Sequence, residues 1–340
     1  MAPYHPPSAG RDGKLRLDFN ENTVGCSPAV IEFLREHLTA SQLSIYPEYV
    51  HAMRELAAFF GVGEDEFTLT NGTDEAIQVL ANTFIDDGDE VVVLKPSYAM
   101  YKFYAEVAGA AVREVEYRAE TLAFPMEELL GAITPKTRAV LIANPNNPTG
   151  TAIDLEAIRA ILHAAPHAAV LIDEAYFEFS ETTALPWIRD YANLFVSRTF
   201  SKVYGMAGMR CGCLFSGAAN VAWMKKAQSP YSVNSMAALA ARAAIRDRAY
   251  VDAYVDEVLA ARAMAYEGLH KLGIKTFPSE ANFILFQADE RAIPIRDALR
   301  ERGVLVRDRS YEIAGCVRVT IGTRAQMERF LEELGKLWTR

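Results

Sequence analysis

The chain has 340 residues, with 35 Lys plus Arg against 44 Asp plus Glu and a formal charge of −9. Hydrophobic residues make up 51% and charged residues 23%, a balance that excludes a largely disordered chain and, at about 100–200 residues per domain, suggests two domains. The acidic total argues against broad nucleic-acid or anionic-membrane binding, yet leaves an acidic small substrate open, because a few local Arg outweigh a distant average.

The opening MAPYHPPSAGRDGK lacks an apolar signal core, and no run approaches the ~18 apolar residues of a membrane span. A soluble, reducing, cytoplasmic setting is expected. Four Cys make no disulfide framework in a chain this long. Cys211 and Cys213, inside an apolar stretch, read as buried free thiols rather than metal ligands, and no metal site is expected.

In chain order, an N-terminal arm leads to a helix over 28–38 and then to the YPE turn at 46–48. A short strand at 67–70 precedes a helix over 73–85 with Ile77, Leu80, Ala81 and Phe84 on one face. Apolar strands follow at 90–94, 138–143, 169–172 and 194–197. Continuous apolar strands separated by helical segments imply a mostly parallel sheet covered on both faces. An Ala-rich helical region over 234–272, breaking near Asp247, leads into strands at 282–287, 304–307 and 317–321 with helices at 293–302 and 324–338. The expected class is α/β: a large domain with a mostly parallel sheet, plus a small C-terminal α+β domain. The expected division is 1–41 (arm and a helix packing with the small domain), 42–246 and 247–340.

Ligands of open α/β sheets bind beyond the carboxyl ends of the strands. Five strand ends here carry polar, Gly- or aromatic-rich segments: NGTDEA, KPSYAMY, NPNNPTG, DEAY and SRTFSKVYGMAGMRCG. Singly, each has an even chance of being a turn or a cap. Asp173 ends the apolar strand AVLID, where an unpaired carboxylate is costly, and Glu174 would point elsewhere. Thr73 and Asp74 open a helix whose free N–H groups favour an anion.

The joint order of these segments, with NEN near the start, the YPE turn, DEAYFEF and the closing CVRVTIGT, resembles the fold-type I pyridoxal-phosphate aminotransferases. More narrowly it is similar to the histidinol-phosphate aminotransferase branch of class I/II. The resemblance covers nearly the whole chain. It implies pyridoxal 5′-phosphate as cofactor, held as a Schiff base by Lys202, which also moves protons as general base and acid. It further implies Asp173 opposite the pyridine nitrogen, Tyr176 and Asn147 at the ring hydroxyl, and Tyr98 stacked on the ring, with Tyr101 and Tyr104 as packing residues. Gly72, Thr73, Asp74 (through its backbone N–H), Ser201 and Arg210 would form the phosphate cup. Tyr46 would reach that phosphate from the partner subunit of a homodimer.

For the substrate, the resemblance implies Arg318 at the α-carboxylate and Arg307 at a distal phosphate, with Arg309 as competitor, and Asn22 as a further contact. The implied reaction is ping-pong transamination between L-histidinol phosphate and 2-oxoglutarate. An aromatic amino acid aminotransferase and a threonine-phosphate decarboxylase on the same scaffold are the alternatives. A non-enzymatic sensor is disfavoured because no basic helix-turn-helix precedes the motifs.

Overall fold

The computed structural model describes residues 10–338; the first nine residues of the expected arm lie outside them. Its centre is a seven-stranded sheet built from β2 (Phe67–Thr70), β3 (Glu90–Lys95), β4 (Ala111–Glu116), β5 (Thr137–Ala143), β6 (Ala169–Asp173), β7 (Leu194–Thr199) and β8 (Gly212–Phe215). The strand order is β2-β8-β7-β6-β5-β3-β4. Pairing is parallel from β4 to β7, while β8 runs antiparallel to both β2 and β7. The apolar strands divide their side chains by parity. Val91, Val93, Leu141, Leu171 and Phe195 pack with helices Gly72–Phe84 and Met100–Val107, whereas Val92, Val140, Ile142, Val170 and Ile172 face the larger core on the other side.

Two strands of the central sheet are absent from the sequence reading, for opposite reasons. β4 is an edge strand with only Val115 buried, so it offers no apolar run. β8 is fully buried but only four residues long, and it carries Cys213 next to Cys211; burial raises both thiols, Cys211 to about 12.

A second, three-stranded sheet has the order β11 (Arg307–Asp308), β12 (Cys316–Thr320), β9 (Phe283–Gln287), all antiparallel. The single strand expected at 304–307 is divided. β10 (Val304–Leu305) instead pairs in parallel with β1 (Leu15–Arg16) of the arm, and Val306 lies between the two pieces. The division sets Arg307 directly opposite Arg318 in the β11–β12 register.

The long helical region does break at Asp247, between Ser235–Arg246 and Arg248–Lys271. Asp247 caps the second helix by accepting from the Tyr250 amide, and it also accepts from the Ser27 hydroxyl, which itself caps helix Pro28–His37. Before that point the arm meets segments that follow the central strands, the Phe19 carbonyl accepting from Lys202 and Asn20 donating to Tyr176. Among the described residues no helix is long and apolar enough to cross a membrane.

Candidate active site

A cavity of about 230 Å³ opens at the carboxyl ends of the central strands. It is lined by Thr73, Asp74, Tyr98, Asn147, Asp173, Tyr176, Ser201, Lys202 and Arg210, nine of the residues singled out from the sequence. Gly72 lies just beneath. Arg318 touches the cavity through Asn147, whereas Tyr46, Asn22 and Arg307 do not line it.

At one end the helix Gly72–Phe84 begins without a side-chain cap, and the buried Thr73 Oγ1 has no hydrogen-bond partner. Arg210 lies across this helix start, donating to Asp74 at 3.0 Å and to Ser201 Oγ at 3.4 Å. Gly72 has φ +74°, and a Cβ there would sit 2.5 Å from the Arg210 guanidinium, so only glycine admits the approach. Free amides, an unsatisfied hydroxyl and a guanidinium suit an anion. The Asp74 carboxylate is not idle, as expected from its backbone role alone. It accepts from the Tyr98 hydroxyl at 2.6 Å as well as from Arg210, and so fixes both.

At the other end Asp173 is 4% exposed. Its partners among the described residues are neutral: Ser197 donates at 2.8 Å, Tyr101 at 2.6 Å, and the Ala175 amide adds a backbone donor. Burial pushes the carboxyl up from 3.8 to about 6, partly offset by those hydrogen bonds. Tyr101 is therefore more than the packing residue expected from sequence. Its spacing of three from Tyr98 was the available signal, since both rings then fall on one side. Glu174 points away, as expected, into a buried pair with Arg198 at 2.7 Å.

Between these ends, the Lys202 Nζ donates to the Phe19 carbonyl at 3.0 Å and lies 5.7 Å from the Tyr176 ring centroid. Tyr176 Oη accepts from Asn20 Nδ2 at 2.9 Å. Arg318, 4% exposed, donates to the Asp18 carbonyl at 2.7 Å and to Asn147 Oδ1, while its Nε has no partner. Burial lowers this guanidinium to about 10, with the like charges of Arg309 and Arg307 adding to the effect. It remains a cation at neutral pH, with a donor to spare.

The arm supplies residues that the sequence reading missed. Asn20 and Glu21 reach the site, whereas Asn22 turns away from it. Both polar ends of the Asn22 amide are spent on the chain itself: Nδ2 donates to the Val203 carbonyl, and Oδ1 accepts from the amides of Val24 and Gly25. Asn22 thus braces the arm against the Lys202 loop. Glu21 lines the cavity and is gripped by Arg11, which outweighs the upward pull of burial and holds its carboxyl below the usual range.

Arg307 and Arg309 separate clearly. Arg309 is buried and committed to Tyr311 and Glu312. The Arg307 guanidinium lies 5.5 Å from the Phe19 ring centroid and faces a neighbouring cavity of about 370 Å³ together with Asp18, Arg296 and Arg300. Tyr46 is 72% exposed, stacks on Tyr231 at 4.4 Å and does not line the cavity.

One end of the cavity thus wants an anion, the other a cation, and an aromatic ring and an amine stand between them. Histidinol-phosphate aminotransferase from Symbiobacterium thermophilum is 37% identical, covering 98% of this chain and 95% of its own length. Histidinol-phosphate aminotransferase 2 of Pseudomonas aeruginosa is 36% identical, covering 95% of this chain and 89% of its own. Among solved structures, histidinol-phosphate aminotransferase from Sinorhizobium meliloti in complex with pyridoxal-5′-phosphate superimposes with a TM-score of 0.90 at 25% identity, over 99% of this chain and 95% of that one. The enzyme from Clostridium acetobutylicum gives a TM-score of 0.87 at 25% identity, over 95% and 98% of the two chains. The family model for aminotransferases of class I and II matches residues 12–334, and with the site geometry above it follows that the chain belongs to that family.

Proposed function

We propose that the chain transfers the amino group of L-histidinol phosphate to 2-oxoglutarate in two half-reactions, giving imidazole acetol phosphate and L-glutamate, with pyridoxal 5′-phosphate as cofactor. The observation that carries this reading is the 33–37% identity, over nearly the whole chain, to histidinol-phosphate aminotransferases of several bacteria. The paired Arg307 and Arg318 add to it, since the two substrates bring a phosphate and carboxylates.

The cofactor supplies the electron sink that stabilises negative charge developing at the substrate Cα. Arg210, Ser201, Thr73 and the amides opening helix Gly72–Phe84 would take its phosphate, with Gly72 giving room and Asp74 fixing Arg210. Asp173 would face its ring nitrogen, Tyr98 its ring, and Asn147 and Tyr176 its ring hydroxyl. Lys202 would hold it covalently and, once freed by the incoming amine, move a proton on and off the substrate Cα. Arg318 pairs with the carboxylate of glutamate or 2-oxoglutarate through its fork, and Arg307 with the phosphate of the donor.

The active unit is read as a cytoplasmic homodimer in which Tyr46 of the partner subunit completes the phosphate cup. Tyr46 and Tyr231 stack in solvent, and Leu43, Ile45 and Val50 near Tyr46 in the chain are exposed as well, which suits a second copy. A division at residues 41 and 246 accords with the two sheets, whose strands fall at 67–215 and 283–320.

The test is a panel of amino donors against the purified holoenzyme, following the cofactor absorbance in single half-reactions. L-histidinol phosphate is expected to convert the chromophore, phenylalanine to lag far behind, and threonine phosphate to release no carbon dioxide. Conversion by phenylalanine alone would overturn the substrate assignment. In the same assay Lys202→Ala is expected to be folded and inactive, and full turnover by that variant would remove Lys202 from the chemistry.

A further inference from the structure

Among the described residues, Asp173 is a buried carboxylate with no ion-pair partner. The next residue, Glu174, shows that a cation was within reach of this strand end, since it is paired with Arg198. Asp173 instead has one hydroxyl on each oxygen, Ser197 on Oδ1 and Tyr101 on Oδ2. Ser197 follows from the sheet, because β6 and β7 pair Asp173 with Ser197 in register. Tyr101 comes from a different element, the helix Met100–Val107, which packs on the face to which Leu171 and Asp173 both point. Its ring is 1% exposed and meets the Tyr98 ring edge-on at 5.7 Å.

We propose that Tyr101 is a positioning residue that keeps the Asp173 carboxylate ionised and turned toward the cofactor's ring nitrogen, while its ring sets the angle of Tyr98. The inference rests on pyridoxal phosphate as the cofactor, not on which amino donor is used. Burial favours the protonated acid, and an acid can no longer balance a cationic ring nitrogen. The two hydroxyls, with the Ala175 amide, tilt that equilibrium toward the carboxylate without neutralising it, leaving its charge for the ligand. A phenolic donor is suited to this, since burial beside Asp173 raises Tyr101 well above its ordinary range and keeps its proton on.

Tyr101→Phe deletes one oxygen and keeps the packing. The readout is the dissociation constant of pyridoxal phosphate from the otherwise wild-type protein between pH 6 and pH 8, with the visible absorbance of the bound cofactor followed over the same range. The expected result is about tenfold weaker binding at pH 8, of the order of one hydrogen bond to a charged group, and a further loss as the pH falls to 6 that exceeds the wild-type loss. A packing role alone would lower thermal stability and leave the pH profile unmoved, and that outcome would overturn the proposal. Incorporation of 3-fluorotyrosine at position 101, which makes the phenol a stronger donor, provides the opposite displacement. The pH profile is then expected to move to lower pH, and no movement would refute the role even if Tyr101→Phe failed to fold.

Discussion

Arg318→Lys separates the fork of the guanidinium from its charge. In the folded protein two nitrogens of Arg318 are spent, one on the Asp18 carbonyl and one on Asn147 Oδ1, and Nε is unpaired. The side chain is buried in the strand β12, so an ammonium at this position would stay in the same low-dielectric surroundings. It would be a single point with three donors in place of a planar fork with five. A carboxylate bound there keeps its countercharge and loses one of two charge-assisted hydrogen bonds, about 1.5–3 kcal/mol. That corresponds to a loss of about 10–150-fold in kcat/KM for L-glutamate.

Because the carboxylate is gripped equally before and during proton removal, the loss is expected in the concentration dependence rather than in the limiting rate. The assay is the glutamate half-reaction by stopped flow, titrated to saturation, with a melting curve to confirm that β12 is intact. A change below about threefold in kcat/KM would refute the bidentate assignment. So would a fall in the limiting rate with unchanged half-saturation.

Other substitutions test other parts of the site. Arg307→Ala is expected to weaken L-histidinol phosphate by about 10-fold or more while changing L-histidinol little, since one charged hydrogen-bond partner is lost; equal losses in kcat/KM for both would remove Arg307 from phosphate recognition. Asp173 carries a cost in the cofactor-free protein: its carboxyl is held up at about 6 against 3.8 in the unfolded chain, so stability falls as pH rises through that window, by roughly 3 kcal/mol at most. Asp173→Asn is therefore expected to melt higher than wild type above pH 6 without cofactor, to lose that advantage below about pH 4, and to bind pyridoxal phosphate poorly; a cofactor-free melting difference independent of pH would contradict this. Gly72→Ala places a Cβ at a left-handed φ against Arg210 and is expected to cost about 1 kcal/mol or more in stability, together with phosphate affinity in an equilibrium titration.

The legible part of this molecule is the part written in side chains that have no alternative. Apolar strands flanked by helices specify a covered parallel sheet, and a charged residue at the end of such a strand, as at Asp173 or Lys202, has to be explained by chemistry. The edge strand β4 was invisible because its side chains are solvated, and the split of 304–308 because Val304 and Arg307 both suit a strand and only the third dimension assigns them to different sheets. Least legible is the arm. It holds Arg318 and Lys202 through the carbonyls of Asp18 and Phe19, a group that every residue possesses, so no side-chain pattern announces it. The same cause explains the exchange of Asn20 for Asn22. Both are buried amides two residues apart, and their partners, Tyr176 for one and the Val203 carbonyl for the other, are brought together only by folding.

Net charge misleads here for a related reason. A total of −9 counts every carboxylate alike, yet the acids near this site are already answered from within the chain: Glu174 by Arg198, Glu21 and Asp18 by Arg11, Asp74 by Arg210. What a ligand meets is the remainder. At one end that remainder is positive, with Arg210 lying across the uncapped start of helix Gly72–Phe84, and the spare donors of Arg318 add to it beside Asn147. At the other it is the negative charge of Asp173, answered among the described residues by neutral donors, the Tyr101 and Ser197 hydroxyls and the Ala175 amide. A ligand that carries an anion at one end and a protonated ring nitrogen at the other is complementary to both, and a simple anion is complementary to one. On the proposed function, the residue expected to make the site selective for the former is thus Asp173, the carboxylate that the described residues leave without a cation.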